Sequence, residues 1–133
     1  MAQAPTIVIV DDAPDVRSVI RTRLRVSGRF DVVGEAADGV QAIKLADEQR
    51  PSVMLLDVSM PVMDGLEALP RIREVSPLTR VVLFSGFEEQ GLVDRARALG
   101  AADFFEKSVP LDRLVERLLE LASTPPHISA APR

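Results

Sequence analysis

The sequence predicts an α/β protein in which five short parallel strands alternate with five helices. One observation is that short apolar segments, several of them rich in β-branched residues, recur between Thr6 and Glu106. Another is that the intervening segments carry apolar residues at three- and four-residue spacing, which is typical of amphipathic helices. Strands that alternate with helices form a parallel sheet through right-handed crossovers, so the predicted fold class is α/β.

Composition agrees with a single folded domain. The chain has 133 residues, of which 47% are hydrophobic and 27% are charged. This length corresponds to about one domain, and the apolar content is too high for a disordered chain. We expect one domain over residues 1–123 and a disordered tail over residues 124–133.

The five strands are predicted from apolar runs bounded by polar or turn residues. The first, third and fourth runs are almost wholly apolar, which is typical of central strands. The second and fifth contain acidic residues, as edge strands often do. This distribution predicts the sheet order 2-1-3-4-5, the flavodoxin-like doubly wound arrangement. The predicted strands cover residues 6–10, 30–36, 52–56, 80–84 and 103–106.

Helix boundaries are predicted from capping residues. Pro14 lies where the first helix would begin, a position that proline favours. Asp38 and Asp64 are each followed three residues later by Gln or Glu, the spacing of a capping box. Gly28 and Gly100 lie just beyond apolar helical patterns, where helices commonly end.

Charge and residue content narrow the function classes. The net charge of −4 disfavours direct nucleic-acid binding. The chain has no cysteine and one histidine, His127, so thiolate chemistry and a histidine metal cluster are excluded. Its apolar runs are far shorter than the ~18 residues of a membrane span, and a secretion signal is lacking. We therefore expect a cytoplasmic protein with no membrane partner.

Polar and charged residues follow the predicted strands. Asp11 and Asp12 follow the first strand, Asp57 the third, Ser85 the fourth and Lys107 the fifth. Two carboxylates ~4 Å apart repel by ~4 kcal/mol at an effective dielectric near 20, so we predict Mg²⁺ and an ammonium group beside them. Such a site could bind a phosphoryl group, with Asp57 on the central strand as the nucleophile.

The segments DDAP, LLDVSMPVMDG, FSG and FFEK together resemble the receiver domain of two-component response regulators, over about residues 5–122. The resemblance implies a phosphorylation-dependent signalling switch rather than an enzyme. A histidine kinase or histidine phosphotransferase would donate the phosphoryl group, and the domain would promote its own phosphorylation and dephosphorylation. The face around the fourth helix, fifth strand and fifth helix would then bind a different downstream partner. Formation of a phosphorylation-dependent homodimer is a further possibility.

The resemblance also implies roles for individual residues. Asp11 and Asp12 would form the acidic Mg²⁺ pocket, with Asp12 as the more direct ligand. Asp57 would be the phosphoacceptor, the backbone carbonyl of Ser59 a further metal ligand, and Lys107 the partner of a phosphoryl oxygen.

Two further positions would form the switch. Ser85 would be the hydroxyl that moves to the phosphoryl group, and Phe104 would be the aromatic switch residue. Packing of Phe104 as an ordinary edge-strand residue is the competing interpretation.

Alternative functions stay open at this point. The chain could be the receiver fragment of a DNA-binding transcriptional regulator, although ten residues after Ser123 cannot form a DNA-binding domain. An aspartyl-phosphate phosphatase is disfavoured, because such enzymes place a second acid two residues after the nucleophile and this chain has Ser59 there.

Three other features carry predictions. Arg17, Arg21 and Arg25 lie at four-residue spacing, which indicates a solvated helix face, with contact to a kinase as the minority interpretation. Pro70 predicts a bend in the third helix or a late start. Phe87, two residues after Ser85, would shield the acyl phosphate from water.

Overall fold

The structure is a computed structural model that describes residues 3–86 and 89–123. Within them five strands alternate with five helices, as predicted. The strands are β1 (Thr6–Val10), β2 (Asp31–Ala36), β3 (Val53–Asp57), β4 (Arg80–Ser85) and β5 (Asp103–Glu106). The helices are α1 (Pro14–Ser27), α2 (Gly39–Gln49), α3 (Gly65–Val75), α4 (Leu92–Ala98) and α5 (Leu111–Ser123).

The strands form one parallel sheet in the order β2-β1-β3-β4-β5, which confirms the predicted topology. Two central strands extend one residue further than predicted. Asp57 and Ser85 are therefore the last residues of β3 and β4, and both are buried. Their side chains are held by the sheet itself rather than by a loop.

Side chains alternate between the two faces of the sheet and form two apolar cores. One core, with Val8, Met54 and Leu83, packs against α2, α3 and α4. The other, with Ile7, Leu55 and Val82, packs against α1 and α5. Residues 3–86 and 89–123 contain no helix of the length and apolarity that crossing a membrane requires.

The predicted helix signals are mostly confirmed. Pro14 is the first residue of α1, and Gly28 ends that helix at φ 69°. Asp64 and Glu67 form a capping box at the start of α3, in which the Glu67 amide donates to Asp64 Oδ1 at 2.8 Å. Of the two outcomes predicted at Pro70, the late start is wrong, because the helix begins at Gly65 and runs through Pro70, while the bend stays a prediction. This capping box and the burial of the α3 apolar face hold the helix together on both sides of the proline.

Val62, in the loop between β3 and α3, has an unusual backbone conformation. Its φ is 71°, and its side chain is 81% exposed. A β-branched residue in the left-handed region crowds its own backbone, which costs about 1–2 kcal/mol. Because the exposed Val62 side chain gains little from burial, it offsets little of this strain itself.

We expect Val62→Gly to raise the free energy of unfolding by about 1 kcal/mol, since glycine adopts positive φ without strain. Chemical denaturation followed by circular dichroism measures the change. Val26→Gly is the matched control: Val26 is 78% exposed but lies within α1, where glycine destabilises by roughly 0.5–1 kcal/mol. Equal destabilisation by both substitutions would contradict the assignment of strain to Val62.

Candidate functional site

Two buried carboxylates and one ammonium group meet at the carboxyl edge of the sheet. Asp11 follows β1 and Asp57 ends β3, and each is only 1% exposed. Lys107, just after β5, places its Nζ 2.7 Å from Asp11 Oδ2 and 3.2 Å from Asp57 Oδ2. The two aspartates continue the alternation that faces α1 and α5, so the sheet directs both carboxylates toward one place.

Backbone hydrogen bonds fix the segments that carry these groups. The Asp11 amide donates to the Ala36 carbonyl at 3.0 Å, which extends the pairing of β1 with β2 beyond the strand. The Lys107 amide donates to the Ser85 carbonyl at 2.6 Å. Asp11 Oδ1 accepts the Ala13 amide at 2.9 Å, which leaves Oδ2 for Lys107.

Gly65 lets α3 begin directly against the phosphoacceptor candidate. Its amide donates to the Val58 carbonyl at 2.9 Å, and a Cβ at this position would lie 2.3 Å from the Asp57 carbonyl oxygen. A side chain there would displace the backbone of Asp57. Glycine is therefore required by this close approach rather than by its φ.

Burial and charge change the protonation equilibria of the site. Burial, together with the negative charge of Asp11, raises the pKa of Asp57 to about 6, although Lys107 and the Ser59 amide oppose this rise. Burial alone would lower the pKa of Lys107. Its hydrogen bond with Asp11 and the charges of both aspartates outweigh that effect and raise the pKa of Lys107 above its ordinary value.

The site has the donors that a hard divalent cation needs. Asp11, Asp12 and Asp57 each offer a carboxylate oxygen, and these oxygens lie within 4.8 Å of one another. Apart from the contacts with Lys107, Asp11 Oδ2 and Asp57 Oδ2 are buried without a hydrogen-bond partner in the described part of the chain. Asp12 is exposed at the same edge. One ammonium group faces three carboxylates, so Mg²⁺ fits both the charge and the oxygen donors.

Of the remaining predicted residues, Ser59 contacts this cluster, whereas Ser85 and Phe104 lie on β4 and β5. The Ser59 amide donates to Asp57 Oδ1 at 3.3 Å. Ser85 is 3% exposed and lines a cleft of about 270 Å³ that Ser59 and α4 also border. Phe104 is partly buried on the α4 side of the sheet. Phe87 and His127 lie outside the described residues.

Two arginines of α1 make contacts with acidic segments that were not predicted from the sequence. Arg17 and Arg21 are not simply solvated: both pair with Glu35, at 3.2 Å and 2.6 Å. Arg17 also donates to the Asp11 backbone carbonyl at 2.6 Å. The prediction of a solvated face was wrong for these two and agrees only with the exposed Arg25. Glu35, near the end of β2, was the feature of the sequence that could have predicted these ion pairs, because β2 lies beside α1.

Comparisons with known proteins show the family to which this chain belongs. The chain belongs to the response regulator receiver domain family, which matches residues 7–119. Receiver domains bind Mg²⁺ at an acidic pocket, and Asp11, Asp12 and Asp57 form such a pocket here. The family implies interaction with phosphodonors such as histidine kinases.

Individual relatives include a chemotaxis protein and two response regulators. Chemotaxis protein CheY of Listeria monocytogenes is 41% identical over 116 residues, which cover 87% of this chain and 97% of CheY. The nitrate/nitrite response regulator protein NarL of Escherichia coli K12 is 36% identical over 118 residues, which cover 89% of this chain and 55% of NarL. The signal receiver domain of a Mycobacterium tuberculosis NarL has a TM-score of 0.86 at 36% identity, covering 91% of this chain and 98% of that domain.

The raised pKa of Asp57 predicts a pH-dependent loss of stability in the metal-free protein. The carboxyl group loses its proton near 3.8 when unfolded and near 6 when folded, so the unfolded state loses its proton first as pH rises. Stability therefore falls between these pH values, and Asp57→Asn removes the loss. At pH 8 in EDTA we expect Asp57→Asn to raise the free energy of unfolding by about 2–3 kcal/mol, with no gain at pH 3.5.

Denaturant titrations at several pH values measure this difference. Asp47→Asn is the control, because the Asp47 side chain is 61% exposed and pairs with Arg50 only at 3.6 Å. We expect that substitution to leave the pH dependence unchanged. A gain from Asp57→Asn that is the same at pH 3.5 and pH 8 would show that the pKa of Asp57 is not raised.

Proposed function

We propose that this receiver domain is a phosphorylation switch in which Asp57 accepts a phosphoryl group in the presence of Mg²⁺. The observation that carries the proposal is the position of the Asp57 carboxylate. It is buried at a strand end, shares one ammonium group with Asp11, and lies beside a third carboxylate. This arrangement holds more negative charge than Lys107 neutralises, which favours binding of a divalent cation, and the bound cation would then offset the charge of an incoming phosphoryl group.

The proposed reaction transfers a phosphoryl group from a histidine nitrogen of the donor to a carboxylate oxygen of Asp57. An Asp57 carboxylate oxygen attacks phosphorus of a phosphohistidine, the new P–O bond forms, and the N–P bond breaks with its electron pair returning to the imidazole. The product on Asp57 is an acyl phosphate. The Lys107 ammonium, 3.2 Å from Asp57 Oδ2, can pair with a phosphoryl oxygen and stabilise the charge of the transferring group.

The metal would be held by oxygen ligands on two strand ends. Asp12 and Asp57 would supply carboxylates, Asp11 would support the pocket, and Ser59 would supply its backbone carbonyl. When bound, Mg²⁺ would neutralise charge on the phosphoryl oxygens. The chain itself fixes the carboxylates and excludes water from Asp11 and Asp57, which are nearly fully buried.

Ser85 and Phe104 would transmit the phosphorylation of Asp57 to the surface formed by α4, β5 and α5. Ser85 follows Leu83 on the face of the sheet that packs on α4, and Leu83 pairs in register with Phe104. Movement of the Ser85 hydroxyl toward the phosphoryl group would alter the space beside Phe104. The face formed by α4, β5 and α5 would then favour a different partner, provided that the partner binds the two states with different affinity.

The proposal includes the partners and location predicted from the sequence. The donor is a histidine kinase or a histidine phosphotransferase, and the location is cytoplasmic. The downstream partner is a protein that contacts the α4-β5-α5 face, with a phosphorylation-dependent homodimer as one form of output and no direct contact of this domain with nucleic acid. The chain covers only 55% of NarL, which supports a second candidate: the receiver fragment of a longer regulator, such as the DNA-binding transcriptional regulator that the sequence left open.

Incubation with acetyl phosphate tests the central step. With Mg²⁺, the intact protein should gain the mass of one phosphoryl group, and hydroxylamine should remove it because the product is an acyl phosphate. Asp57→Asn or EDTA should prevent the gain. Lys107→Met should slow it by about a hundredfold, since among residues 3–86 and 89–123 it removes the one cation that contacts Asp57.

Mass spectrometry with time follows each reaction. Arg50→Met serves as a control that removes an exposed basic side chain before the amino end of β3, whereas Asp57 ends that strand, and we expect the wild-type rate. A hydroxylamine-sensitive phosphoryl group on Asp57→Asn, or a wild-type protein that gains none, would contradict the proposed acceptor.

A further inference from the structure

One side chain of α1 contacts the backbone of the acidic loop. Arg17 donates from Nη1 to the Asp11 carbonyl at 2.6 Å, and its own backbone amide donates to the Ala13 carbonyl at 3.2 Å. The same residue therefore binds two of the three carbonyls in the segment Asp11-Asp12-Ala13. These are the residues that connect β1 to α1 and carry two of the three clustered carboxylates.

The contact with the Asp11 carbonyl bears directly on Asp12. That carbonyl belongs to the planar peptide unit that joins the two aspartates. Holding the direction of this carbonyl restricts the plane of the peptide unit, which contains the Asp12 nitrogen and Cα, and so restricts the directions in which the exposed Asp12 side chain can leave the backbone. The Asp11 side chain is already held by Ala13 and Lys107, whereas Asp12 is exposed and depends on its backbone for orientation.

Arg17 is itself held by an acidic side chain of β2. Its Nε lies 3.2 Å from Glu35 Oε1, and Arg21 occupies the other oxygen at 2.6 Å. The side chains of Arg17 and Glu35 are 20% and 26% exposed, so the network is largely shielded from water. The planar guanidinium suits this task because it can bind the carboxylate and the carbonyl at once from separate nitrogens.

We propose that Arg17 is a positioning residue for the metal site, which orients the Asp11–Asp12 peptide so that Asp12 can reach Mg²⁺. The inference rests on the proposed function, since it assumes Mg²⁺ at this site. Outer contacts of this kind commonly change metal affinity by about 10- to 100-fold when removed.

The charge of Arg17 and its proposed positioning role predict opposite effects on Mg²⁺ affinity when the residue is removed. Arg17 is a cation near a cation site, so its charge alone weakens Mg²⁺ binding, and removing it should strengthen binding. A positioning role predicts instead that binding becomes weaker. Arg21 is the matched control, because it pairs with the same Glu35 from the same helix and has no hydrogen bond with Asp11 among those that the structure describes.

Calorimetric titration with MgCl₂ measures the dissociation constants of the wild-type, Arg17→Met and Arg21→Met proteins. We expect the dissociation constant for Mg²⁺ to rise about tenfold in Arg17→Met and not to rise in Arg21→Met. The increase in Tm that one fixed MgCl₂ concentration causes in each protein is a second measurement, because it compares each variant with its own metal-free form and becomes smaller as the dissociation constant rises. The chain has no Trp or Tyr, so calorimetry and circular dichroism replace intrinsic fluorescence.

Each result supports or overturns the inference. Unchanged or tighter binding by Arg17→Met, or equal weakening by both variants, overturns the role of Arg17 and leaves the proposed function standing. Absence of Mg²⁺ binding by the wild type overturns both. If Arg17→Met does not fold, Arg17→Lys replaces it: a single ammonium cannot bind as the guanidinium does, so we expect at least about a threefold rise, and wild-type affinity overturns the inference.

Discussion

The ion-pair cluster of Asp11, Asp57 and Lys107 is the interaction on which the rest of the site depends. Two carboxylates are nearly fully buried, and one ammonium contacts both of them. Burying charge is costly unless it is paired, and here the pairing is incomplete, because Asp12 adds a third carboxylate within reach. The metal-free fold therefore holds an excess of negative charge that a divalent cation can relieve, and the bound cation would also offset the charge of a phosphoryl group. Stability and function are connected through the same atoms.

The sheet makes this imbalance possible. Each charged group lies at or just after a strand end, and the strands themselves are anchored by two apolar cores. The backbone carries the finer placement, through the hydrogen bond from Lys107 to the Ser85 carbonyl and the close approach of Gly65 to Asp57. The alternation of side chains along the strands also places the carboxylates and the proposed switch residues on opposite faces of the sheet. Asp11 and Asp57 face the side of α1 and α5, whereas Ser85 and Phe104 follow the side that packs on α4.

Much of this arrangement could be predicted from the sequence, because apolar runs followed by aspartate, serine or lysine mark the strand ends of a parallel sheet. The role of Arg17 could not be predicted in this way. On a helical pattern Arg17, Arg21 and Arg25 are equivalent, and only the tertiary position of Glu35 on β2 distinguishes the first two from the third. Gly65 was also missed as a site residue, because the approach of α3 to the Asp57 carbonyl is a property of packing. The late start predicted for α3 was wrong because the capping box and buried face of that helix outweigh the effect of Pro70.

The most direct test of the central claim is the pKa of the Asp57 carboxyl group, measured by carbon-detected NMR as pH is varied, with and without Mg²⁺. The account predicts a pKa of about 6 in EDTA and a clear fall when Mg²⁺ is added, because the cation stabilises the charged form. A pKa near that of an ordinary aspartate in EDTA, unchanged by Mg²⁺, would show that these carboxylates neither crowd one another nor share a metal ion.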